Sequence, residues 1–446
     1  MTGTFDLDGS YRRHDRVVIA GSPLRLFRLS AGGRRAVEAI EQREPLPAGH
    51  GRLTDRLLDA GAIHPRPTES RFTADDVTIV VPAYNATPPE WSAETEVIVV
   101  DDGSEPPVSP KAGQHLVRLS VNQGPAAARN AGLRLVTTPL VAFVDTDVQV
   151  GDGWLDALLP HFADPRVALV APRVVSSVGG STIAQYERVR SPLDLGAESG
   201  RISAGSRISY VPAAAIVVRT DALRSIGGFD ESLRTGEDVD MVWRLVAAGH
   251  RCRFEPASVV VHQPRRFAAG WLRQRIAYGR SAAALDSKHR GGVSPLRISG
   301  WSAVVWALIA ARRPVTAVAV AGGTIVALHR KLHDLPPSES VRLAGLGHLY
   351  AGRQVAGAIT RVWWPIALVA AVLVRGARVP VLAAALVPAI LDWRNDTTSL
   401  PAARYVGLRI ADDLAYGTGV WLGAIQRRSI GALTPVLTNW PGRTAD

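Results

Sequence analysis

The chain has 446 residues, of which 47% are apolar and 20% are charged, so it is long enough for two or three domains with hydrophobic cores. The formal net charge of +11 favours a phosphate-bearing ligand, nucleic acid or an anionic membrane, and does not decide between them. A single cysteine, Cys252, excludes an intramolecular disulfide framework and a cysteine-rich zinc site, and the polar segment 1–15 predicts no signal peptide.

Residues 10–67 are predicted to form a small α+β module at the front of the chain. Two short strand-like runs, Val17–Gly21 and Leu24–Leu29, flank a Gly-Ser-Pro turn and predict a hairpin. Ser30 is a suitable cap for a helix that follows the hairpin, and a second helix is predicted over Gly51–Ala60.

This succession of strands and short helices resembles the winged-helix-like domains of the PqqD type. Those domains hold the precursor peptide during the maturation of ribosomal peptides, so the resemblance implies a peptide-recognition role for residues 10–67. The alternative is an N-terminal extension that only packs on the domain behind it.

After a polar linker, three apolar runs predict buried parallel strands that each end in polar residues. They are Val77–Val81 before Pro82-Ala83-Tyr84-Asn85, Glu96–Val100 before Asp101-Asp102-Gly103-Ser104, and Leu140–Val144 before Asp145-Thr146-Asp147. In an open parallel sheet, ligands bind beyond the carboxyl ends of the strands. We therefore expect these polar groups to line one crevice, which is the candidate active site.

Only about ten residues, 86–95, separate the first two strands, and a parallel crossover normally needs a dozen or more. The helix of this connection is therefore predicted to be cut to a turn or two. After the second strand, the segment 122–132 (Asn-Gln-Gly-Pro-Ala-Ala-Ala-Arg-Asn-Ala-Gly) predicts a helix whose small residues let it lie close to its neighbours.

The motifs continue in order beyond the third strand. Val-Val-Pro-Ala-Tyr-Asn (80–85), Val-Val-Asp-Asp-Gly-Ser (99–104), the Ala-Arg-Asn helix and Phe-Val-Asp-Thr-Asp (143–147) precede Gly-Gly-Phe-Asp-Glu (227–231) and Gly-Glu-Asp-Val-Asp (236–240). This series strongly resembles the family 2 glycosyltransferases, which are inverting enzymes of the α/β GT-A fold. With the PqqD-like module in front, the pairing resembles the glycosyltransferases of mycofactocin biosynthesis, which add glucose units to a peptide-derived redox cofactor.

The resemblance implies a UDP-sugar donor, with UDP-glucose expected, a peptide-derived acceptor, a divalent metal ion (Mn²⁺ or Mg²⁺) and no nucleic-acid partner. It assigns donor binding to residues at the three strand ends and in the small-residue helix. These residues are Pro82, Tyr84, Asn85, Asp102, Asn122, Gly124, Arg129, Asn130 and Asp145.

Asp145 and Asp147 alternate at a strand end, where a divalent cation would need oxygen ligands between the protein and a diphosphate. A bare Asp-x-Asp is also common as a solvated turn, so the motif depends on its position after Phe-Val. Related GT-A enzymes use a histidine after a later strand as a third metal ligand, which implies that role for His262. A structural histidine is the alternative.

Glu237 and Asp238 open a predicted helix that runs to Ala248. The resemblance implies that Asp238 is the general base for the acceptor hydroxyl and that Glu237 supports it. An acidic residue in the first turn of a helix also stabilises the helix dipole, which is the purely structural alternative.

From Trp301 onward, four apolar runs are broken by arginines or ended by charged residues, and none reaches the roughly 20 residues of a spanning helix. Short apolar helices flanked by arginine are typical of helices that lie in, or dip into, a membrane surface. We therefore predict attachment to the cell membrane with the catalytic domain in the cytoplasm. A soluble helical cap and a dimer interface are the alternatives.

The sequence thus predicts a PqqD-like module over 10–67, a GT-A domain over 77–292 and a membrane-associated helical region over 300–430. The predicted activity is inverting transfer of a hexose to mycofactocin or its precursor. The alternatives are a glycosyltransferase of cell-envelope or lipid-linked glycan synthesis and an inactive sugar-nucleotide or peptide-binding scaffold. Asp145, Asp147 and Asp238 are all present, which argues against the scaffold.

Overall fold

A computed structural model describes residues 4–44, 46, 49–91, 95–265 and 267–439. The chain divides into two compact units. Unit 1 comprises Met1–Val178 and Arg190–Pro264, and unit 2 comprises Gly179–Val189 and Arg265–Asp446. The predicted boundary at residue 292 therefore falls inside unit 2, whereas residues 10–67 belong to unit 1 with the main sheet.

Unit 1 begins with two small sheets and two helices. The elements are β1 (Thr4–Leu7), β2 (Arg12–His14), β3 (Val17–Ala20), β4 (Arg25–Arg28), α1 (Ala31–Gln42), α2 (Gly51–Ala60) and β5 (Ile63–Arg66). The predicted hairpin is confirmed as the antiparallel pair β3–β4. Both helices are confirmed as well, and Ser30 caps α1 by accepting the Gly33 N–H at 3.1 Å.

The rest of unit 1 is built on one mixed sheet. In chain order the elements are β6 (Val77–Ala83), β7 (Val97–Asp102), β8 (Gln114–Leu119), α3 (Pro125–Leu133), β9 (Leu140–Val144), β10 (Val148–Val150), β11 (Val167–Ser176), α4 (Thr182–Arg190, mostly in unit 2), β12 (Gly200–Ile202), β13 (Ala215–Arg219), α5 (Thr220–Ser225), α6 (Glu237–Ala247) and β14 (Arg251–His262). The strand order is β10-β14-β11-β13-β9-β6-β7-β8, with β12 paired to β14.

The three predicted strands are confirmed as β6, β7 and β9, and they pair in parallel. Their apolar residues are almost completely buried, as the continuous β-branched runs predict. No helix occurs between β6 and β7 in the described parts of that connection, 84–91 and 95–96, in agreement with its short length.

The small residues of α3 are required by close packing. A Cβ atom at Gly132 would lie 2.4 Å from Cγ1 of Val80, so only glycine allows α3 to approach β6 this closely. At the end of β7, Gly103 has a φ of 70°, and a Cβ there would lie 2.5 Å from the carbonyl carbon of Val121. The first contact brings α3 against β6, and the second brings the segment before α3 against the end of β7.

Unit 2 is helical. After α4 its elements are α7 (Ala268–Arg280), α8 (Ala282–Lys288), β15 (Arg297–Ser299), α9 (Gly300–Ala310), α10 (Pro314–Lys331), α11 (Pro337–Gly357), α12 (Trp364–Leu373), α13 (Arg378–Asn395), α14 (Ala402–Arg427) and β16 (Val436–Thr438). Short 3₁₀ turns occur at Ala74–Asp76, Leu159–Ala163, Arg375–Ala377 and Gly431–Leu433, and a π-helical turn occurs at Ala358–Val362.

A buried ionic cluster joins α4, α7 and α14 within unit 2. Arg275 of α7 bonds to Glu187 of α4 and, at 2.8 Å, to Asp412 of α14. Glycines allow the backbones of α7 and α14 to touch, since a Cβ at Gly279 would lie 1.9 Å from the Tyr416 carbonyl oxygen. The boundary between the units therefore falls before α7, because α7 packs with the C-terminal helix.

The apolar helices of unit 2 leave much of their surface uncovered. No residue of α12 is buried, and Val372 and Leu373 are 63% and 77% exposed. By length and composition, one described helix, Arg375–Asn395, is able to cross a membrane, and a second candidate is the pair Pro337–Val362 and Trp364–Leu373, bent by 90°. No uninterrupted apolar run reaches 20 residues, yet the helix Arg375–Asn395 reaches spanning length overall.

Candidate functional site

The Asp-x-Asp pair lies at the carboxyl end of β9, next to two other strands. The Asp145 N–H donates to the Ala214 carbonyl at 2.9 Å, and the Asp147 carbonyl accepts the Gln263 N–H at 2.9 Å. The segment before β13 and the end of β14 therefore flank the pair. Both side chains remain partly open to solvent, each with 31% exposure.

Arg129 of α3 connects the Asp-x-Asp pair to the Glu-Asp pair of α6. Its guanidinium donates to Asp145 Oδ1 at 2.8 Å and to Glu237 Oε1 at 2.7 Å, and it is buried over the ring of Phe229. The resemblance to the family assigns Arg129 to donor binding, which stays a prediction. Both of these partners are carboxylates, so in this structure Arg129 holds the two acidic motifs together.

Asp238 lies in the first turn of α6, and two backbone groups orient its carboxylate. Oδ1 accepts the Val239 N–H at 2.8 Å, and Oδ2 accepts the Ala213 N–H at 3.3 Å. Burial, followed by the neighbouring charge of Glu237, raises the pKa of Asp238 to about 7. Asp238 is therefore held in place and titrates close to neutral pH, which suits a general base.

The carboxylate oxygens at the end of β9 are suitable ligands for a divalent cation. Burial raises the pKa of Asp145, the guanidinium of Arg129 opposes this, and the charge of Asp147 adds to the rise. Four carboxylates, those of Asp145, Asp147, Glu237 and Asp238, thus lie at this edge of the sheet, and two of them, Asp145 and Glu237, share the guanidinium of Arg129. Carboxylate oxygens are the ligands that Mg²⁺ and Mn²⁺ prefer.

His262 is beside Asp147, at the end of β14. Its Nε2 lies 3.4 Å from Asp147 Oδ2, and its buried Nδ1 has no hydrogen-bond partner among the described residues. Across the described ranges, no three His, Cys, Asp or Glu side chains are already grouped as a metal site. The set of Asp145, Asp147 and His262 is therefore not preassembled, and its metal role stays a prediction.

Asp102 holds the loop in front of α3. Its two carboxylate oxygens accept the N–H groups of Gln123 at 2.7 Å and Gly124 at 2.8 Å. The adjacent Asp101 instead closes its own turn through the Ser104 N–H. The two acids of the Asp-Asp-Gly-Ser motif therefore shape two loops, and Asp102 keeps lone pairs with which it can accept a further hydrogen bond.

Asn85, at the end of the first motif, likewise stabilises the turn in which it lies. Asn85 has a φ of 49°, its N–H donates to Ser104 Oγ at 2.8 Å, and its Oδ1 accepts the Glu105 N–H at 3.0 Å. Tyr84, next to it, is 52% exposed, and Pro82 is half-buried at the end of β6. The ends of β6 and β7 are therefore joined through Asn85, with Tyr84 open to a ligand.

Asn130 is engaged with the Gly-Gly-Phe-Asp-Glu turn. Its Nδ2 donates to the Phe229 carbonyl at 2.8 Å and to Glu231 at 2.9 Å, and its Oδ1 accepts the Phe229 N–H at 2.9 Å. The carboxamide thus makes three protein contacts. Its predicted part in donor binding stays a prediction, and its observed partners support the turn beneath Arg129.

Two residues at this site were not predicted from the sequence. Arg234, just before α6, donates to Asn122 Oδ1 at 2.8 Å, and its side chain lies beside Gly124 in the loop that Asp102 holds. Ala213 supplies a backbone N–H to Asp238. The position of Arg234, two residues before Gly236, was a signal in the sequence that could have indicated its role. The backbone N–H of Ala213 could not have been identified in this way, because every residue except proline has one.

The model of the glycosyl transferase family 2 matches residues 78–227. The chain is 40% identical to the pre-mycofactocin glycosyltransferase of Mycobacterium tuberculosis (strain H37Rv), over 98% of this chain and 99% of that protein. It is 29% identical to succinoglycan biosynthesis protein ExoO of Rhizobium meliloti, over 43% of this chain and 61% of that protein.

Among solved structures, a mannosyltransferase from Pyrobaculum calidifontis in complex with GDP-Man and Mn²⁺ is 16% identical, with a TM-score of 0.39. The match covers 79% of this chain and 90% of that one. The similarity to the mycobacterial protein is the more extensive in sequence, because it also includes residues before 78 and after 227.

Proposed function

Since the chain belongs to the family 2 glycosyltransferases, we propose that it moves a hexose from a nucleotide diphosphate sugar, with UDP-glucose as the expected donor, to the peptide-derived cofactor mycofactocin or its precursor. Unit 1 has the GT-A fold of this family. The observation that carries the proposal is the bridge of Arg129 between Asp145 and Glu237, since it joins the two acidic motifs at the edge of the sheet. The 40% identity over nearly the whole chain supports the acceptor class.

The proposed reaction is a single displacement with inversion. The acceptor oxygen forms a bond to the anomeric carbon, and the bond from that carbon to the diphosphate oxygen breaks with its electron pair. The acceptor proton passes to the carboxylate of Asp238, which two backbone N–H groups aim. Asp238 must be ionised to act, and its raised pKa makes it a stronger base than an ordinary carboxylate.

Asp145 and Asp147 are the proposed ligands of a divalent cation, with His262 as a further candidate beside Asp147. When bound, the cation supplies positive charge to the diphosphate leaving group. Arg129 orients Asp145 toward the same edge of the sheet, and its charge offsets part of the repulsion among the four carboxylates. Pro82, Tyr84, Asn85 and Asp102 lie at the ends of β6 and β7 and are proposed to form the nucleoside pocket.

Unit 2 is proposed to hold the protein on the cytoplasmic face of the cell membrane. The exposed apolar side chains of α12 and α13, together with Arg375 and Arg378 between them, support this assignment. Residues 10–67 are proposed to contact the acceptor. β4 is an edge strand of its sheet, with Arg25 and Arg28 exposed and Phe27 buried in the core of the module.

Donor hydrolysis tests the enzymatic proposal most directly. We expect the full chain to release UDP slowly from UDP-glucose in the presence of Mn²⁺, to stop when the metal is chelated, and to run faster with a mycofactocin-type acceptor. A panel of UDP- and GDP-sugars run in parallel identifies the donor. Donor binding without any turnover would instead support the inactive scaffold.

A further inference from the structure

A second cluster of charges lies in unit 1, at the surface where the N-terminal module meets the main sheet. We call this region the seam. It is formed by α2, β12, the start of β14 and the neighbouring loops. Its charged residues are Arg25, Asp55, Asp59, Asp164, Arg166, Arg201, Arg251 and Arg253.

All three aspartates of the seam form ion pairs with Arg251 or Arg166. Arg251 donates to Asp55 at 2.6 Å, to Asp59 at 2.7 Å and to Asp164 at 2.8 Å. Arg166 adds a bond to Asp59 at 3.2 Å and an ion pair with Asp55 at 3.5 Å. These contacts fix α2 of the module onto β14, and they leave no unpaired carboxylate among the seam residues named above.

Arg253 lies two residues further along β14, so it projects from the same face as Arg251. It is 4% exposed, its Nε is buried without an acceptor, and no described residue pairs with its guanidinium. Burial, and then the charge of Arg251, lowers its pKa to about 10. The next acid on this face, Glu255, bonds to His161 at 3.0 Å.

Arg201 faces Arg253 across the β12–β14 pair. The two residues are direct partners in the antiparallel register, and the guanidinium of Arg201 has one hydrogen bond, to Ser203 Oγ at 3.2 Å. Burial, and then the charge of Arg25, lowers the pKa of Arg201. Like charges directly opposite each other destabilise a sheet, and the charges of Asp59 and Asp164 offset the lowering of the two pKa values only in part, so a further counter-charge between the two arginines would be stabilising.

We propose that the seam binds an oxyanion between Arg201 and Arg253. A guanidinium presents parallel N–H donors that match a carboxylate or a phosphate, so both are suitable ligands. The anion would neutralise the two arginines that the aspartates leave unpaired, and it would tie the module to β12 and β14. Arg253 lies opposite Val170 of β11 and His262 lies opposite Ser176, six positions or roughly 20 Å further along the sheet, so this site is distinct from the donor site.

Calorimetric titration of the full chain with inorganic phosphate, at constant ionic strength in a chloride background, tests the site. We expect wild type to bind phosphate and Arg253→Met to bind it at least about tenfold more weakly, as expected when a charge-assisted contact is lost. Arg234→Met is the matched control, because Arg234 lies in the donor loop. It should leave binding at the seam unchanged.

Two further arms identify the source of the oxyanion. A short peptide with a free C-terminal carboxylate is compared with the same peptide amidated at its C-terminus. Competition with phosphate by the acid alone indicates a peptide carboxylate as ligand, and no competition by either indicates free phosphate. Donor hydrolysis should persist in Arg253→Met, which shows that the variant is folded and that the seam is not the reaction site.

Equal phosphate affinity in wild type and Arg253→Met would overturn the proposal, as would the absence of any binding. Loss of binding in Arg234→Met alone would place the phosphate in the donor loop and would also overturn it. If Arg253→Met does not fold, Arg201→Met applies the same test from the opposite strand. A thermal melt adds a second readout, since phosphate should raise the Tm of wild type and not that of Arg253→Met.

Discussion

The two units contain similar apolar residues in opposite surroundings. In unit 1, every side chain of β9 is fully buried, and the polar groups follow where the strand ends. In unit 2, α12 has a comparable apolar sequence and buries none of it. Burial by the protein itself stabilises the sheet, whereas the exposed helix needs another apolar medium. We infer that unit 1 carries out the chemistry and that unit 2 attaches the protein to a membrane. Variants in the two units should therefore affect these two properties separately.

The largest effect is expected at the Asp-x-Asp pair. Asp145→Ala or Asp147→Ala should weaken metal-dependent donor binding on the order of 100-fold or more, because the diphosphate charge loses a cation ligand. Calorimetric titration with UDP-glucose and Mn²⁺ measures this. Asp152→Ala, which removes an exposed carboxylate nearby, is the control. Unchanged affinity in both variants would remove the metal assignment, and loss of membrane attachment would break the separation of the units.

Asp238→Asn should spare donor affinity and lower turnover on the order of 10²- to 10⁴-fold, the range expected when a positioned general base is lost. The amide keeps the size of the side chain and the oxygen that accepts the Val239 N–H. Steady-state kinetics with acceptor separates the two effects. Turnover above about half of wild type would show that the base lies elsewhere. A product that retains the anomeric configuration of the donor would contradict single displacement.

The dependence of turnover on pH tests the same assignment of Asp238 as the general base. Since the base must be ionised, turnover of wild type should rise as the pH passes through about 7, the raised pKa of Asp238. The folded state binds this proton more tightly than the unfolded state, so the stability contributed by Asp238 falls between the ordinary carboxyl pKa and about pH 7. Asp238→Asn should therefore melt at a higher temperature than wild type at pH 8, but not at pH 4. A flat pH–rate profile would contradict the role.

Substitutions in unit 2 should change membrane attachment and leave the enzymatic activity intact. Replacing Val369, Val372 and Leu373 on α12 with serine should move the protein from the membrane fraction to the soluble fraction, with donor hydrolysis unchanged. These side chains are 56%, 63% and 77% exposed, so little packing is lost. The matched control replaces Leu135 and Val178, which are exposed apolar residues of unit 1. Full-length wild type in the soluble fraction at low salt would contradict the membrane proposal.

Truncation after residue 295 is a poor substitute for these variants. It would remove α14 while leaving α7, and Arg275 would lose its partner Asp412. Glu187 would remain as a partner, but removing one carboxylate from a buried ionic cluster is strongly destabilising, so insolubility of the fragment would say nothing about membranes.

The sequence predicted the strands that carry the candidate site, whereas the structure divides the chain before α7 and not at residue 292. Apolar runs that end in Asp and Asn placed β6, β7 and β9 correctly, since a buried strand and its terminal turn are local features of the chain. The ionic contacts of Arg275 with Glu187 and Asp412 join distant segments, and the periodicity of α7 contains no trace of them. The same holds for Arg129, because its type predicts a charge but not that Asp145 and Glu237 share it.

The smallest effect is expected in the N-terminal module, which tests whether unit 1 includes acceptor recognition. Arg28→Glu reverses a charge on the edge strand β4 and should raise the apparent KM for a peptide-derived acceptor about threefold, the size expected of an exposed charge. Donor hydrolysis should not change. Arg35→Glu makes the same reversal on the exposed face of α1, away from the edge, and is the control.

Point variants are preferable to deletion of the module. Removing α2 would take Asp55 and Asp59 from Arg251, so a deletion would disturb β14 as well as any peptide contact. An exposed charge contributes little to a contact of this kind, which predicts a modest effect rather than loss of activity. If Arg28→Glu and Arg35→Glu both leave the KM unchanged, the module is a packing extension that the aspartates of α2 fasten to the sheet.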